Sequence, residues 1–506
     1  MYTQRATLEE ALAELNDGAP AAAVARLRAL VESGEEDVET RLLLGRALLL
    51  QGRVEDAGGA VAPLVRRRDL TSQQHALALA VTGVSRVVGG DPSASRLIRS
   101  AIDTDDPPGH ATALAWAATG IERYLDGDLG GAVDAATCAY AATDAASRFP
   151  RAQAEVRLAT MLMHADRFGE AEALLRAKDD VSDARSARFH RSSALGMLRF
   201  HDGGWDEAAV LLDPRPAVAD AIEIADNDWA LATGLLGVLY VHQDRLDDAQ
   251  RLLGAALGPM AAGQAVMLFW AAALHAEAEN DVPRAANLAD RLVSMVERSR
   301  SFVRLRLFGP DLVRLALAVG DVSRAKYIAD RLAIVAAVAA TPSVEAAARL
   351  CNGLIHNDSG EIRRATELYA ISPRPLDRAI ALEAYAATFQ TPDDPRAVAA
   401  ERAALEIYRA TGASRDLRRV RASLRHRGVT IEHRAPGKNG AFGWTALSST
   451  EEAVARLVGD GLTNAEIARR LFISPRTVET HVAHLFVKLG VKSRAGVAAA
   501  AARATP

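Results

Sequence analysis

The 506-residue chain is too long for one ordinary globular core, so it must divide into several units or extend as a repeat array. Hydrophobic residues make up 49% of it, mostly Ala and Leu, and aromatic residues only 5%, which favours closely packed helices and argues against a β-rich fold. The net charge of -4 hides an asymmetry: residues 441–506 carry eight Lys or Arg against five Asp or Glu, a balance of +3, which leaves -7 on residues 1–440.

That asymmetry confines any nucleic-acid contact to the C-terminal end. Cys138 and Cys351 are the only cysteines, and they lie far apart without CxxC or metal-ligand spacing, so neither a disulfide framework nor a zinc site is expected. A reducing cytosol suits this usage. The N-terminal run MYTQRATLEEALAEL lacks the charged-then-apolar pattern of a signal segment. The longest apolar run, AVMLFWAAAL at 265–274, falls far short of the ~20 residues that span a bilayer, so no membrane contact is expected.

From residue 18 to residue 399 one turn recurs. GRVEDA (52–57), GDLGGA (127–132), DRFGEA (166–171), GGWDEA (203–208), DRLDDA (244–249), GDVSRA (320–325) and GEIRRA (360–365) each place a Gly or Asp five positions before an Ala. Looser copies are GAPAAA (18–23), GGDPSA (89–94), NDVPRA (280–285) and DPRAVA (394–399). The marker alanines follow one another at intervals of 34 to 41 residues, the length of one helical hairpin. Gly or Asp lets the chain reverse, and the small Ala lets the second helix approach the first. Leucine stripes follow, as in AEALLRA (171–177) and AQRLLGAAL (249–257).

This spacing and offset resemble tetratricopeptide-type repeats over roughly residues 8–415, although the family's aromatic and proline positions are mostly absent and the units run long. The resemblance implies an α-solenoid whose stacked hairpins form a concave surface for a protein, peptide or small effector. Nothing in the repeats names the partner. Trp116, Trp205, Trp229 and Trp270 read as packing residues before groove anchors, and the acidic loop DTDDPP (103–108) lacks the glycine and spaced oxygens of a calcium loop.

After the array, DLRRVRASLRHRG (416–428) is a basic helical segment, read first as a solvated face. Residues 429–443, VTIEHRAPGKNGAFG, lose helical periodicity and form a flexible linker. GKNG is no phosphate loop, because the GxxxxGK[ST] spacing and a preceding strand are missing.

Residues 447–502 parse into four short helices. Ser448 with Glu451 and Thr463 with Glu466 have capping-box spacing, Ser474 caps the third helix with Pro475 at its first position, and Ser493 opens the fourth. LFIS (471–474) makes a tight turn, and Ile467, Ala468, Leu471, Val478, Val482, Leu485 and Leu489 supply a core. This is helix-turn-helix geometry, in which the second helix of the pair enters the major groove.

The run from LSSTEE to KSRAGVA, with GLTNAEIA, LFIS, TVETH, KLGV and SR in order, resembles the LuxR-type DNA-binding domain. Two positions depart from that pattern: Thr450 stands where an Arg is common, removing a local ion pair, and Glu479 stands where a basic residue is common. The residue chemistry and the resemblance together assign Thr463, Asn464, Ser474, Arg476, Thr477 and Lys488 to phosphate oxygens. Glu479, Thr480, Ala483 and His484 fall on the face that resembles the family's base-reading surface. Glu479 either accepts from cytosine N4, or merely pairs within its helix or faces solvent. The fourth helix either joins a two-fold dimer, as the resemblance implies, or closes the four-helix core.

The expectation is therefore an all-α chain: residues 1–428 a tetratricopeptide-like sensor or partner-binding array, 429–443 a linker, and 444–506 a LuxR-type domain. Its function would be promoter binding on double-stranded DNA, controlled through the array, in the cytosol. The alternative is an interaction scaffold with weak or lost DNA binding. No cofactor motif, NTPase loop, receiver domain or catalytic constellation emerges, so an enzyme is not expected.

Overall fold

The computed structural model describes residues 2–34, 37–104, 109–144, 147–176, 185–214, 226–257, 266–429, 444, 447, 449–471 and 475–504. Among the described residues every regular element is a helix, and there is no strand. Residues 472–474 of the turn LFIS, the cap Ser448, the loop DTDDPP beyond residue 104 and nearly all of the linker lie outside the described residues, and the cap Ser474 with them.

Eleven hairpins follow one another. They pair α1 (Tyr2–Asn16) with α2 (Pro20–Glu32), α3 (Val38–Leu50) with α4 (Val54–Val61), and α5 (Ser72–Val88) with α6 (Ala94–Thr104). Next come α7 (His110–Leu125) with α8 (Leu129–Ala142), α9 (Arg148–His164) with α10 (Phe168–Arg176), and α11 (Arg185–Asp202) with α12 (Trp205–Leu211). The array continues as α13 (Asp226–His242) with α14 (Leu246–Leu257), α15 (Val266–Ala278) with α16 (Val282–Arg298), and α17 (Leu305–Ala318) with α18 (Val322–Ala339). It ends as α19 (Pro342–His356) with α20 (Ser359–Ala370) and α21 (Pro375–Ala387) with α22 (Pro395–Thr411), closed by α23 (Ser414–His426).

The recurring sequence turn is the hairpin turn. Gly18, Gly52, Gly90, Gly127, Asp166, Gly203, Asp244, Asn280 and Gly320 all have positive φ, and at most of them the next amide reaches back five residues, as Arg53 N does to Leu48 O at 2.9 Å. That bond satisfies carbonyls the helix end leaves free. The marker alanines 23, 57, 132, 171, 208, 249, 285 and 325 are all fully buried.

Two copies are displaced from their sequence reading. In GEIRRA the left-handed residue is Asn357, not Gly360, and Gly360 already lies inside α20, where Asp358 caps it at 2.8 Å. Asn tolerates the left-handed region because its short polar side chain bonds locally, so it does the turning here. In DPRAVA the marker Ala399 is exposed and Ala397 and Ala400 face inward, because the turn is longer and Asp394 starts α22 by accepting from Arg396 N at 2.9 Å.

Trp205 and Trp270 are core residues, each with its indole N–H satisfied, by Phe200 O at 2.9 Å and by Asp311 Oδ2 at 3.0 Å. Trp116 and Trp229 are half-buried. The basic segment is not simply solvated: in α23 Arg418 pairs with Asp244, Arg419 with Glu383 at 2.6 Å, and Arg427 beyond its end with Glu401 at 2.9 Å. Its buried Asp416 accepts from His242 at 2.6 Å. Burial pushes that carboxyl up, but His242 and Arg419 outweigh burial and hold it at about 2.

The hairpin turns also meet the next superhelical coil. Gly90 O accepts from Arg300 at 3.3 Å, and a Cβ on Gly127 would lie 3.4 Å from Val335. Asp166 accepts from Ser343 N and Arg374 Nε, both at 3.0 Å; Gly203 abuts Pro375 and Thr411; Asp244 pairs with Arg418. Each partner lies about five hairpins further along. Adjacent coils thus touch along the edge that carries the tight turns, and one apolar cluster runs from Tyr124 to Leu424.

At the Asp166 joint, burial pushes the half-buried Asp377 carboxyl up to about 6, against the pull of Arg374 and Arg306. A group whose folded pKa is raised favours folding below its unfolded value, and that contribution is lost as pH rises through the folded value. Asp377→Asn should therefore gain about 1–3 kcal/mol more over the native chain near pH 7.5 than near pH 4.5, read from urea midpoints. Parallel curves at the two pH values would remove Asp377 as the titrating group. Packing gives a second expectation. A Cβ on Gly234 would sit 2.5 Å from the Met267 backbone, whereas one on Gly59 meets nothing within 4 Å. Gly234→Ala should cost about 1–3 kcal/mol, and Gly59→Ala should gain about 0.5–1 kcal/mol, by chemical denaturation.

Candidate nucleic-acid interface

The C-terminal unit is built from α24 (Ser449–Gly459), α25 (Asn464–Leu471), α26 (Pro475–Leu489) and α27 (Arg494–Ala504). Gly461 and Gly490, both at positive φ, follow α24 and α26 and let the chain reverse. The capping box at α25 is present in both directions: Glu466 N donates to Thr463 Oγ1 at 3.3 Å, and Thr463 N donates to Glu466 Oε2 at 2.7 Å. Pro475 is the first residue of α26, and Gly496 N donates to Ser493 Oγ at 3.2 Å to open α27.

Val454, Ala455, Val458, Ile467, Ala468, Val478, Val482, Leu485 and Val497 form the core, with Leu471 and Leu489 at its edge. Burial of each valine contributes roughly 1.5–3 kcal/mol. Val478 and Val482 therefore fix the rotation of α26. With that face inward, Arg476, Glu479, Thr480, Ala483 and His484 are exposed on the outer side. Val210 of α12 lies against the same apolar cluster, so the unit rests on the sixth hairpin with this outer face uncovered.

The expected phosphate-facing residues divide. Arg476 is exposed; Thr477 is half-buried; Ser474 lies outside the described residues. Thr463 is exposed, with its hydroxyl donating to Glu466 at 2.7 Å. Asn464 Oδ1 accepts from Arg494 Nη1 at 2.6 Å, and the same guanidinium reaches Leu462 O, so Arg494 clamps α27 to the start of α25. Lys488 turns inward: its Nζ donates to the buried Glu451 at 2.6 Å. His484 Nδ1 is 3.9 Å from the other oxygen of Glu451.

Glu451 and Arg494 are the residues that sequence reasoning missed in these roles. Glu451 was legible only as half of a capping box, because its ion pair spans 37 positions and leaves no local pattern. The SR pair in the motif was the one signal for Arg494. Two further cations, Arg469 and Arg470, are exposed at the end of α25. His481 is half-buried with neither ring nitrogen bonded among the described residues, and burial lowers its pKa. Trp444 donates to Glu452 at 3.3 Å, with Arg456 5.7 Å from its ring, and so ties the incoming chain to α24.

A trihelical core with a capped second helix and a third helix exposing polar groups opposite its valines defines a helix-turn-helix module. Residues 445–501 match the family described as bacterial regulatory proteins, luxR family. Proteins described as HTH-type transcriptional regulators in Mycobacterium tuberculosis and Mycobacterium bovis are 51% identical over 70 residues, 14% of this chain and 8% of theirs. The oxygen regulatory protein NreC of Staphylococcus aureus is 46% identical over 48 residues, 10% of this chain and 22% of its own length. These likenesses thus span a small part of each relative. The solved structure of the APC/C hetero-tetramer Cut9-Hcn1 aligns over 99% of this chain and 89% of its own, at 11% identity and a TM-score of 0.39, too distant to bear on function. No helix among the described residues is long and apolar enough to cross a membrane.

Lys488→Met leaves the Glu451 carboxylate buried without its cation, and should destabilise the C-terminal unit by about 1–3 kcal/mol. Hydrogen exchange at residues 451–459 and 482–489 against denaturant measures it; unchanged opening free energies there would mean that the pair contributes nothing.

Proposed function

We propose that the chain is a cytosolic transcription regulator that binds promoter DNA through residues 444–506, with residues 1–428 serving as the controlling module and 429–443 as the joint. The observation that carries this reading is the outer face of α26: Glu479, Thr480 and Ala483 are exposed opposite the buried Val478 and Val482, in a unit matched to a family of regulators. Thr463, Ser474, Arg476 and Thr477 serve the phosphates, and Glu479, Thr480, Ala483 and His484 read base edges. Lys488 acts chiefly through Glu451, and Asn464 through Arg494.

Dimerisation belongs to the same reading. Val497 and Ala501 of α27 pack inward, while Ala495, Ala499 and Ala502 are exposed on its other face, a surface flat enough for a two-fold mate. Two α26 helices would then address successive major grooves. An effector or protein acting on the array would supply control, and chemistry on a substrate forms no part of the function.

Arg476→Gln should weaken binding to all duplexes about 5–10-fold and lower the salt slope by about 1, because one phosphate contact is lost. Glu479→Lys should raise affinity for unrelated duplexes and change base preference at one position. Fluorescence anisotropy on duplexes recovered by genome-wide mapping of bound DNA tests both. No enriched sites in that map, together with no salt-dependent binding, would end the regulator reading.

A further inference from the structure

The array ends on α23, and no later hairpin among the described residues stacks on it. Val420, Leu424 and Asp416 are buried and fix its inward face, which packs on α22 and α13. Six arginines fall between Arg415 and Arg427, and the outward side carries most of them: Arg418, Arg419 and Arg425 are exposed, and Arg415 and Arg421 are half-buried. Arg418, Arg421 and Arg425 recur at helical spacing, so they stand in a row about 10 Å long on one face.

Four carboxylates answer this charge. Asp244 pairs with Arg418 and Glu383 with Arg419, both at 2.6 Å, Glu401 with Arg427 at 2.9 Å, and the buried Asp416 with Arg419 at 2.8 Å. Among the described residues no carboxylate lies within ion-pair reach of Arg421 or Arg425, and the Arg421 Nε is buried without an acceptor. Arg415 acts on Asp244 and Asp416 only at longer range. Six guanidinium groups against four carboxylates leave two positive charges in excess, on an array that is otherwise acidic.

The C-terminal unit is short of free cations by comparison. Lys488 is held by Glu451, Arg494 by Asn464 and Leu462 O, and Glu479 adds a carboxylate to the outer face. The basic helix lies close to it. α24 meets α12 beside Val210, α12 meets α13, and α13 meets α23, so three steps of about 8–10 Å place α23 within about 30 Å of α24. One turn of duplex DNA is about 34 Å long.

We propose that the outer face of α23 is a second DNA-binding surface, on which Arg415, Arg421 and Arg425 take the phosphate backbone of the duplex beside the C-terminal unit. This rests on residues 444–506 binding DNA. An open row of arginines suits a line of charge, and duplex DNA presents one charge per ~1.7 Å of its axis. Contacts of this kind add affinity and fix orientation without reading sequence. The end of the array thereby supplies positive charge that the helix-turn-helix unit spends on its own ion pairs.

Fluorescence anisotropy of the full chain on unrelated duplexes tests this, with one hairpin-closed duplex of about 10 base pairs and one of about 40, over a range of salt. Arg421→Gln combined with Arg425→Gln should weaken binding to the long duplex about 10-fold, lower its salt slope by about 2, and leave the short duplex unaffected. Lys326→Gln, which removes an exposed cation from α18, should change neither. If Arg421→Gln disturbs folding, Arg425→Gln alone carries the test, with a slope change of about 1. A slope lowered by Arg476→Gln and untouched by the α23 substitutions would keep the C-terminal unit as the DNA binder and remove the second surface. No binding of either duplex would remove both. Equal losses on the two duplexes would reveal a general charge effect and overturn the proposal. So would an unchanged DNA affinity accompanied by loss of a salt-sensitive dimer in sedimentation, since the face would then serve an acidic protein surface.

Discussion

Two helices approach closely only where no side chain holds their backbones apart, and in this array glycine meets its neighbour at one crossing after another. A Cβ on Gly45 would stand 2.7 Å from Val61 Cγ1, one on Gly353 would stand 2.4 Å from Ile362 Cγ1, and Gly120 faces the Ala132 carbonyl with 3.5 Å to spare. Fully buried alanines sit on the second helix of most hairpins. Small residues draw the hairpins into a thin, tightly wound ribbon, and the tight winding brings hairpin turns onto the next coil. The buried polar joints at Asp166 and His242 follow from that geometry, because turns end in helix termini whose backbone groups need partners.

The array was legible in sequence because the turn residue and the small residue lie five positions apart, within one local pattern. Where the turn used Asn357 or lengthened before Asp394, the same pattern misplaced the register by a few residues, although each hairpin was still found. The glycines on the first helices went unread, since a glycine inside a helix has no local partner to mark it as a crossing point. Contacts between coils could not be read at all. Asp166 and Arg374 are 208 positions apart, and nothing near either one announces the other.

In the C-terminal unit the cap at Thr463, the inward valines and the four helices could be read because each depends on spacing within one or two turns. Electrostatics were harder. Lys488 looks in sequence like one more cation on the rim, yet a carboxylate on α24 draws it inward. That capture matters for Glu479, which stands exposed on α26 with one cation fewer on its own helix to neutralise it. The acid is therefore a more dominant feature of the outer face than the overall +3 balance of the segment suggests.

Contact between coils also alters how the array responds to damage. A stack in which each hairpin meets only its two neighbours behaves as a one-dimensional chain, and a defect is felt only next door. Here the turn at Gly203 leans on Pro375 and Thr411, and His242 is bonded to Asp416. Loss of the last hairpin together with α23 would strip cover from the sixth and seventh as well as from the tenth. The ribbon therefore melts more like a two-dimensional lattice than a string, and its ends are fastened to its middle.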